Sequence, residues 1–212
     1  MKKILFVTSE AYPIIKTGGL ADVSGSLPIA LKALGHDVRI LMPAYGSAKP
    51  AGDIKPIKQL GDSEKGIVIQ EGLLPGSEVP VWSLSHQDYF DRTGNPYLDA
   101  DGNPWPDNAE RFSLLCHVGV EIAMDRLGLG WKPDIVHCND WQSGLIPALL
   151  SDEIRRPGIV FTVHNLAYQG VFSRDTFNRL KLPSRLWSPQ ALEFYDQFSF
   201  IKGGLVFSDR IS

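Results

Sequence analysis

Cysteine is scarce here: Cys116 and Cys138 are the only two in 212 residues. Two thiols cannot build the disulfide framework of a small secreted domain, so a reduced, structural pair in a cytoplasmic protein is expected. Each lies beside a histidine (Cys116-His117, His137-Cys138), but the pairs lack zinc-ligand spacing. A surplus of positive charge is missing too. The formal net charge is -3, which leaves nothing to drive nucleic-acid binding. No run approaches the length of a membrane span. The apolar stretch 4–7 that follows Met1-Lys2-Lys3 is too short for a signal peptide and is ended by Ser9-Glu10. Neither nucleic acid nor membrane is expected as a partner.

Two nucleotide motifs are absent as well. There is no G-x-G-x-x-G, and the strand expected at 38–42 runs into Leu41-Met42-Pro43 instead of an acidic residue, which argues against NAD. No Gly-Lys-Ser/Thr follows a spaced glycine, so a Walker loop is excluded. What remains is ordinary globular material. With 43% hydrophobic and 21% charged residues, a chain of this length hides roughly 70% of its unfolded surface and holds one sizeable core.

The stretch on which the rest turns is Thr8-Ser9-Glu10-Ala11-Tyr12-Pro13-Ile14-Ile15-Lys16-Thr17-Gly18-Gly19-Leu20-Ala21-Asp22. Residues 3–8, leading into it, are rich in Ile, Leu, Phe and Val, as in a strand buried on both faces. Residues 20–34 after it carry Leu20, Val23, Leu27, Ala30, Leu31 and Leu34 at helical spacing. Two glycines where a strand hands over to a helix let a ligand approach the backbone, and the first amides of the helix have no internal partner. A phosphate fits such a place, with Lys16 supplying a full charge. The plain alternative is a helix entrance with a solvated lysine.

Further along, strands are expected at 38–42, 79–84, 135–138 and 158–163, with strand-like pieces at 54–60 and 66–74 inside a β-rich insertion over 44–76. Helices are expected at 107–127 and 141–154, the second capped by Asp140 and bent by Pro147. Beyond His164 come helical pieces at 176–180 and 189–194, a helix at 198–207 and a strand start at 209–212. The alternation of strand and helix indicates a Rossmann-like, doubly wound parallel sheet of the α/β class. In such a sheet the carboxyl ends of the strands share one edge, which brings Lys16, Asp140 and His164 together. Each alone has a structural explanation; the three on one edge point to a site. Asp99-Ala100-Asp101-Gly102-Asn103 reads as turn-forming aspartates, because Pro104 occupies the place of the calcium-loop glycine.

Lys16-Thr17-Gly18-Gly19-Leu20-Ala21-Asp22-Val23 resembles the signature of bacterial glycogen synthases and plant starch synthases. Arg92-Thr93-Gly94-Asn95-Pro96-Tyr97, Asn108-Ala109-Glu110-Arg111-Phe112, His137-Cys138-Asn139-Asp140-Trp141-Gln142 and His164-Asn165-Leu166-Ala167-Tyr168-Gln169-Gly170 resemble later blocks of that family, in the same order. The resemblance implies the amino-terminal, acceptor-side domain (residues 1–212) of a two-domain GT-B glycosyltransferase, its carboxy-terminal donor domain absent. It implies transfer of glucose from ADP-glucose to the non-reducing end of an α-1,4-glucan, with retention and without metal or cofactor. Lys16 and the Gly18 and Gly19 amides would meet the donor phosphates, and Asp22, Asp140 and His164 would line the glucosyl site. Tyr97 and Asn165 would touch the glucan. Asn139 stands where many members carry His or Ala. A stand-alone glucan-binding module, or a sugar-nucleotide transferase with another acceptor, are the alternatives.

Overall fold

The computed structural model describes residues 1–46, 48–61 and 66–212. Eleven strands are formed among them: β1 (Lys3–Val7), β2 (Asp37–Pro43), β3 (Ala51–Leu60), β4 (Ile67–Leu73), β5 (Pro80–Ser85), β6 (Ile135–Asn139), β7 (Gly158–Thr162), β8 (Val171–Ser173), β9 (Glu193–Phe194), β10 (Gln197–Ser199) and β11 (Arg210–Ile211). The α-helices are α1 (Gly19–Ala33), α2 (Gln87–Phe90), α3 (Asn108–Ala123), α4 (Leu145–Leu150), α5 (Arg174–Arg179) and α6 (Phe200–Phe207). Part of the insertion expected over 44–76, Ser47 and 62–65, lies outside the described residues.

The main sheet runs β11-β7-β6-β1-β2-β5-β4-β3. Its first six strands are mutually parallel, and β4 and β3 close the far edge as an antiparallel hairpin. Counting the parallel strands alone gives the Rossmann order 3-2-1-4-5-6, so the switch point falls between β1 and β6. The fold is Rossmann-like α/β, as expected.

β1 shows why its sequence sits at the centre. Ile4 and Phe6 point into an apolar cluster with Val38, Ile40 and Val81, against which Leu27 and Leu31 of α1 pack. Leu5 and Val7 point the other way, into the larger cluster that contains Phe112 and Leu115 of α3, Ile146 of α4 and Phe200 of α6. A strand covered on both faces needs an unbroken apolar run, and each fully buried side chain of this kind stabilises the fold by about 1.5–3 kcal/mol. The same pattern holds α6 close to the turn before α4. A Cβ on Gly144 would lie 2.1 Å from the carbonyl oxygen of Phe200, so only glycine lets these segments touch.

Three expected helices come out differently. The segment 141–154 is a 3₁₀ turn, Trp141–Ser143, followed by α4 alone. Pro147 has no N–H for a continuous helix, and restarting at Leu145 puts it in a first turn, where no donor is needed. The piece at 189–194 is not helical. Its last two residues are β9, joined to β10 through Tyr195 (φ 49°) and Asp196 (φ 60°), the left-handed pair of a two-residue hairpin turn. The helix expected at 198–207 starts only at Phe200, where Ser199 caps it by accepting the amide of Lys202, and residues before it pair with β8 and β9. The strand start at 209–212 does join the sheet, with Arg210 opposite Val160.

Candidate functional site

Three loops leave the carboxyl ends of β1, β6 and β7 around the switch point. Asp140, directly after β6, has φ 54° and ψ −178°, a region that only glycine enters freely. A non-glycine residue there costs of the order of 1–3 kcal/mol and persists where surrounding bonds hold it. Those bonds are present. The Asp140 amide donates to the carbonyl of Thr162 at 2.9 Å, and Oδ1 accepts the amides of His164 at 2.7 Å and Asn165 at 3.3 Å. The expected cap is thus not made: the 3₁₀ turn after Asp140 has no side-chain cap, and the carboxylate is spent on the β7 loop instead. Burial raises the Asp140 carboxyl above the usual range, opposed by the amide of His164 and by its ring charge.

The ring of His164 is held from below. Its Nε2 lies 3.0 Å from Oδ1 of Asn139, while Nδ2 of Asn139 donates to the carbonyls of Val7 at 3.0 Å and His137 at 3.3 Å. One buried amide thereby ties β6 to β1 and to the histidine.

On the β1 side, Lys16 and Asp22 face each other. Lys16 Nζ lies 2.7 Å from both carboxylate oxygens, and the two side chains are 47% and 56% exposed. An ion pair this exposed adds little stability. Gly18 is the cap residue of α1, at φ −148° and ψ −163°, and no side-chain cap is made there among the described residues. A Cβ added at Gly18 or Gly19 would meet nothing within 4 Å. Neither positive φ nor packing requires glycine here. By contrast, a Cβ on Gly25 of the same helix would lie 2.3 Å from the carbonyl oxygen of Tyr12, so that glycine seats the loop on the helix.

Tyr97 comes from the long loop 91–107. That loop is fastened by Arg111, which is 1% exposed and donates to the carbonyls of Tyr89 at 2.7 Å and Pro96 at 2.9 Å. Arg92 binds both carboxylate oxygens of Asp107, and Trp105 stacks on Arg92 at 4.9 Å. The Tyr97 hydroxyl reaches Ser9 Oγ at 2.7 Å and Glu10 Oε1 at 3.0 Å. Burial, with Tyr45 and Glu10 nearby, lifts this phenol well above its ordinary value. Asp99 Oδ1 accepts the amides of Asp101 and Asn103, as a turn former does. Of the aromatic residues near this edge, Trp141 and Phe172 pack with Phe200, whereas Tyr168 is 66% exposed.

Asp140, His164 and Asn165 are therefore in direct contact, and Lys16 is in contact with Asp22. The two groups stand on neighbouring loops of one edge, where Glu10 adds to the field at Asp140. Sequence reasoning gave Ser9, Glu10 and Asn139 no part in holding these loops, which their bonds show. The available signal was the polar run Thr8-Ser9-Glu10 at the end of an otherwise apolar central strand.

These features define a Rossmann-like domain whose strained, hydrogen-bonded loops gather at the switch point, the fold of GT-B glycosyltransferases. The chain belongs to the starch synthase catalytic domain family, whose model matches residues 3–212. It is 64% identical to glycogen synthase 1 of Methylococcus capsulatus over 99% of this chain and 43% of that protein. It is 53% identical to the glycogen synthase of Cellvibrio japonicus over 100% of this chain and 45% of that protein. The solved catalytic domain of starch synthase IV from Arabidopsis thaliana, bound to ADP and acarbose, superimposes with a TM-score of 0.81 at 27% identity, covering 99% of this chain and 44% of that one. The chain thus spans a little under half the length of these relatives.

Proposed function

We propose that this chain is the amino-terminal, acceptor-side domain of a glycogen synthase that moves glucose from ADP-glucose to the non-reducing end of an α-1,4-glucan, with retention and in the cytoplasm. A carboxy-terminal donor domain, for which the relatives' greater length leaves room, would complete the cleft and hold most of the nucleotide. The observation that carries the reading is the open space over Gly18 and Gly19 at an uncapped helix start beside Lys16. Glycine is unnecessary there for the fold and useful for close approach of a diphosphate.

In this reading the Gly18 and Gly19 amides and Lys16 receive the donor phosphates. As the ADP leaves, its new negative charge is met by donors already in place, and this is where such contacts lower the barrier most. Lys16 has to exchange its bond with Asp22 for one to phosphate, which frees the Asp22 carboxylate for a sugar hydroxyl. His164, gripped at amide and ring, steadies the glucosyl group, with Asp140 setting the turn beneath it. Asn165 and Tyr97 stand on the glucan side.

The test is radiolabelled ADP-glucose with glycogen, given to the 212-residue chain and to a protein of the relatives' full length that carries it. Transfer by the long form alone is expected. Equal turnover by the short form, or none by the long form, contradicts the reading.

A further inference from the structure

Glu10 is the most enclosed carboxylate among the described residues, at 3% exposure, and none of their ion pairs includes it. A charge buried without a counter-charge is costly, and an apolar side chain of similar size serves stability better. The carboxylate is instead met by donors from two other segments. Oε2 accepts the backbone amide of Thr17, and Oε1 accepts the Thr17 hydroxyl at 3.0 Å and the Tyr97 hydroxyl at 3.0 Å. Because Tyr97 gives its single proton to the carboxylate, Ser9 Oγ must donate to the Tyr97 oxygen across their 2.7 Å contact. Glu10 itself is fixed from behind: Thr8 Oγ1 donates to its carbonyl at 2.9 Å and bonds Ser24 of α1 at 2.9 Å.

No hydrogen bond joins Thr17 and Tyr97 directly; each bonds the same carboxylate. Thr17 lies between Lys16 and Gly18, so its two bonds to Glu10 fix the chain directly before the Gly18 and Gly19 amides. Tyr97 reports the position of the 91–107 loop. We propose that Glu10 is a positioning residue that sets the donor-side loop by the state of the glucan-side loop. Movement of Tyr97 is thereby felt at Thr17, and a seated glucan prepares the phosphate cradle. What each loop binds rests on the proposed function; the coupling between the loops does not.

The first test needs no activity. Amide hydrogen exchange, followed by mass spectrometry on the 212-residue chain, compares wild type with Tyr97→Phe, which deletes one hydroxyl and keeps the ring. Exchange of the peptide that carries Thr17 is expected to rise roughly fivefold, the scale of one lost hydrogen bond, with β6 and β7 unchanged. Glu10→Gln is expected to do the same and to loosen the peptide around Tyr97 as well. Unchanged exchange at Thr17 in Tyr97→Phe overturns the proposal, because two independent bonds to one carboxylate would then suffice.

The second test is kinetic, in the protein of full relative length. Tyr97→Phe should raise the KM for ADP-glucose severalfold although it alters the other loop, and its effect combined with Thr17→Ala should be less than the product of the two. In a Glu10→Ala background that non-additivity should vanish. Simple multiplication of the two effects in the wild-type background likewise overturns the coupling. If the long protein transfers no glucose while the exchange result holds, the functional reading falls and the coupling stands.

Discussion

The side-chain oxygen of Asn139 lies 3.0 Å from Nε2 of His164, and the other half of that amide fixes which atom faces the ring. Nδ2 donates to two backbone carbonyls, so Oδ1 must be the acceptor, and Nε2 carries the proton. The next residue, Asp140, takes the backbone amide of the same histidine. Consecutive side chains at the end of β6 therefore hold one histidine by ring and by main chain, which leaves Nδ1 without a hydrogen-bond partner among the described residues.

Replacing Asn139 by Ala should release that ring and remove the side-chain bonds to the Val7 and His137 carbonyls at the buried centre of the sheet. Unfolding by urea should show a loss of about 1–3 kcal/mol. In a protein of full family length the catalytic constant should fall roughly 10²-fold, the scale of a misplaced reacting group. A variant with wild-type turnover would detach the ring orientation from the chemistry.

His137 supplies a pH dependence of known sign. Burial, with the charge of His164 second, lowers its pKa to about 4; Nε2 meets Thr162 Oγ1 at 2.8 Å, and the ring packs edge-on against Phe6. The unfolded chain binds a proton near pH 6.5, the folded one only near pH 4. The contribution is therefore complete above pH 6.5 and is lost as pH falls towards 4. From pH 7 to pH 5 the fold should lose about 2 kcal/mol through this residue. Urea titrations of wild type and His137→Gln at both pH values measure it: the variant's loss should be smaller by that amount. Equal losses would assign the acid sensitivity elsewhere.

Glycines of the first loop divide into two kinds. Gly18→Ala and Gly19→Ala meet no neighbour and should change thermal stability by less than about 1 kcal/mol, Gly18 being at a cap and Gly19 in the first helical turn. In a protein of full family length both should nonetheless impair turnover with ADP-glucose. Gly25→Ala, which drives a methyl into the Tyr12 carbonyl, should cost about 1–3 kcal/mol. A melting series with activity on each variant separates the two kinds. Destabilised Gly18 and Gly19 variants would make that glycine pair structural.

Much of this was legible because the central strands speak through composition. β1, β6 and β7 announce themselves as short apolar runs, and their carboxyl-end loops follow from topology. Asp140 was readable as a residue at the shared strand edge but not in its bonding, since nothing local shows that its carboxylate serves amides of a loop after another strand. The β9–β10 hairpin was missed because its turn uses Tyr195 and Asp196 where Asn-Gly would have given the signal. Glu10 was missed for a related reason. Its partners Thr17 and Tyr97 lie in separate loops, and only tertiary structure shows that one carboxylate serves both.

The central claim is that the Lys16–Gly19 loop is a phosphate cradle, and Lys16→Ala in a protein of full family length tests it most directly. With donor and glucan varied in turn, the catalytic constant should fall by about 10²–10³ with little change in the KM for glucan. Lys16→Arg should restore only part, because a planar fork does not replace a compact ammonium. A Lys16→Ala enzyme with near-normal turnover would contradict the account, leaving Lys16 as the partner of Asp22 and the glycine pair as an ordinary entrance to a helix.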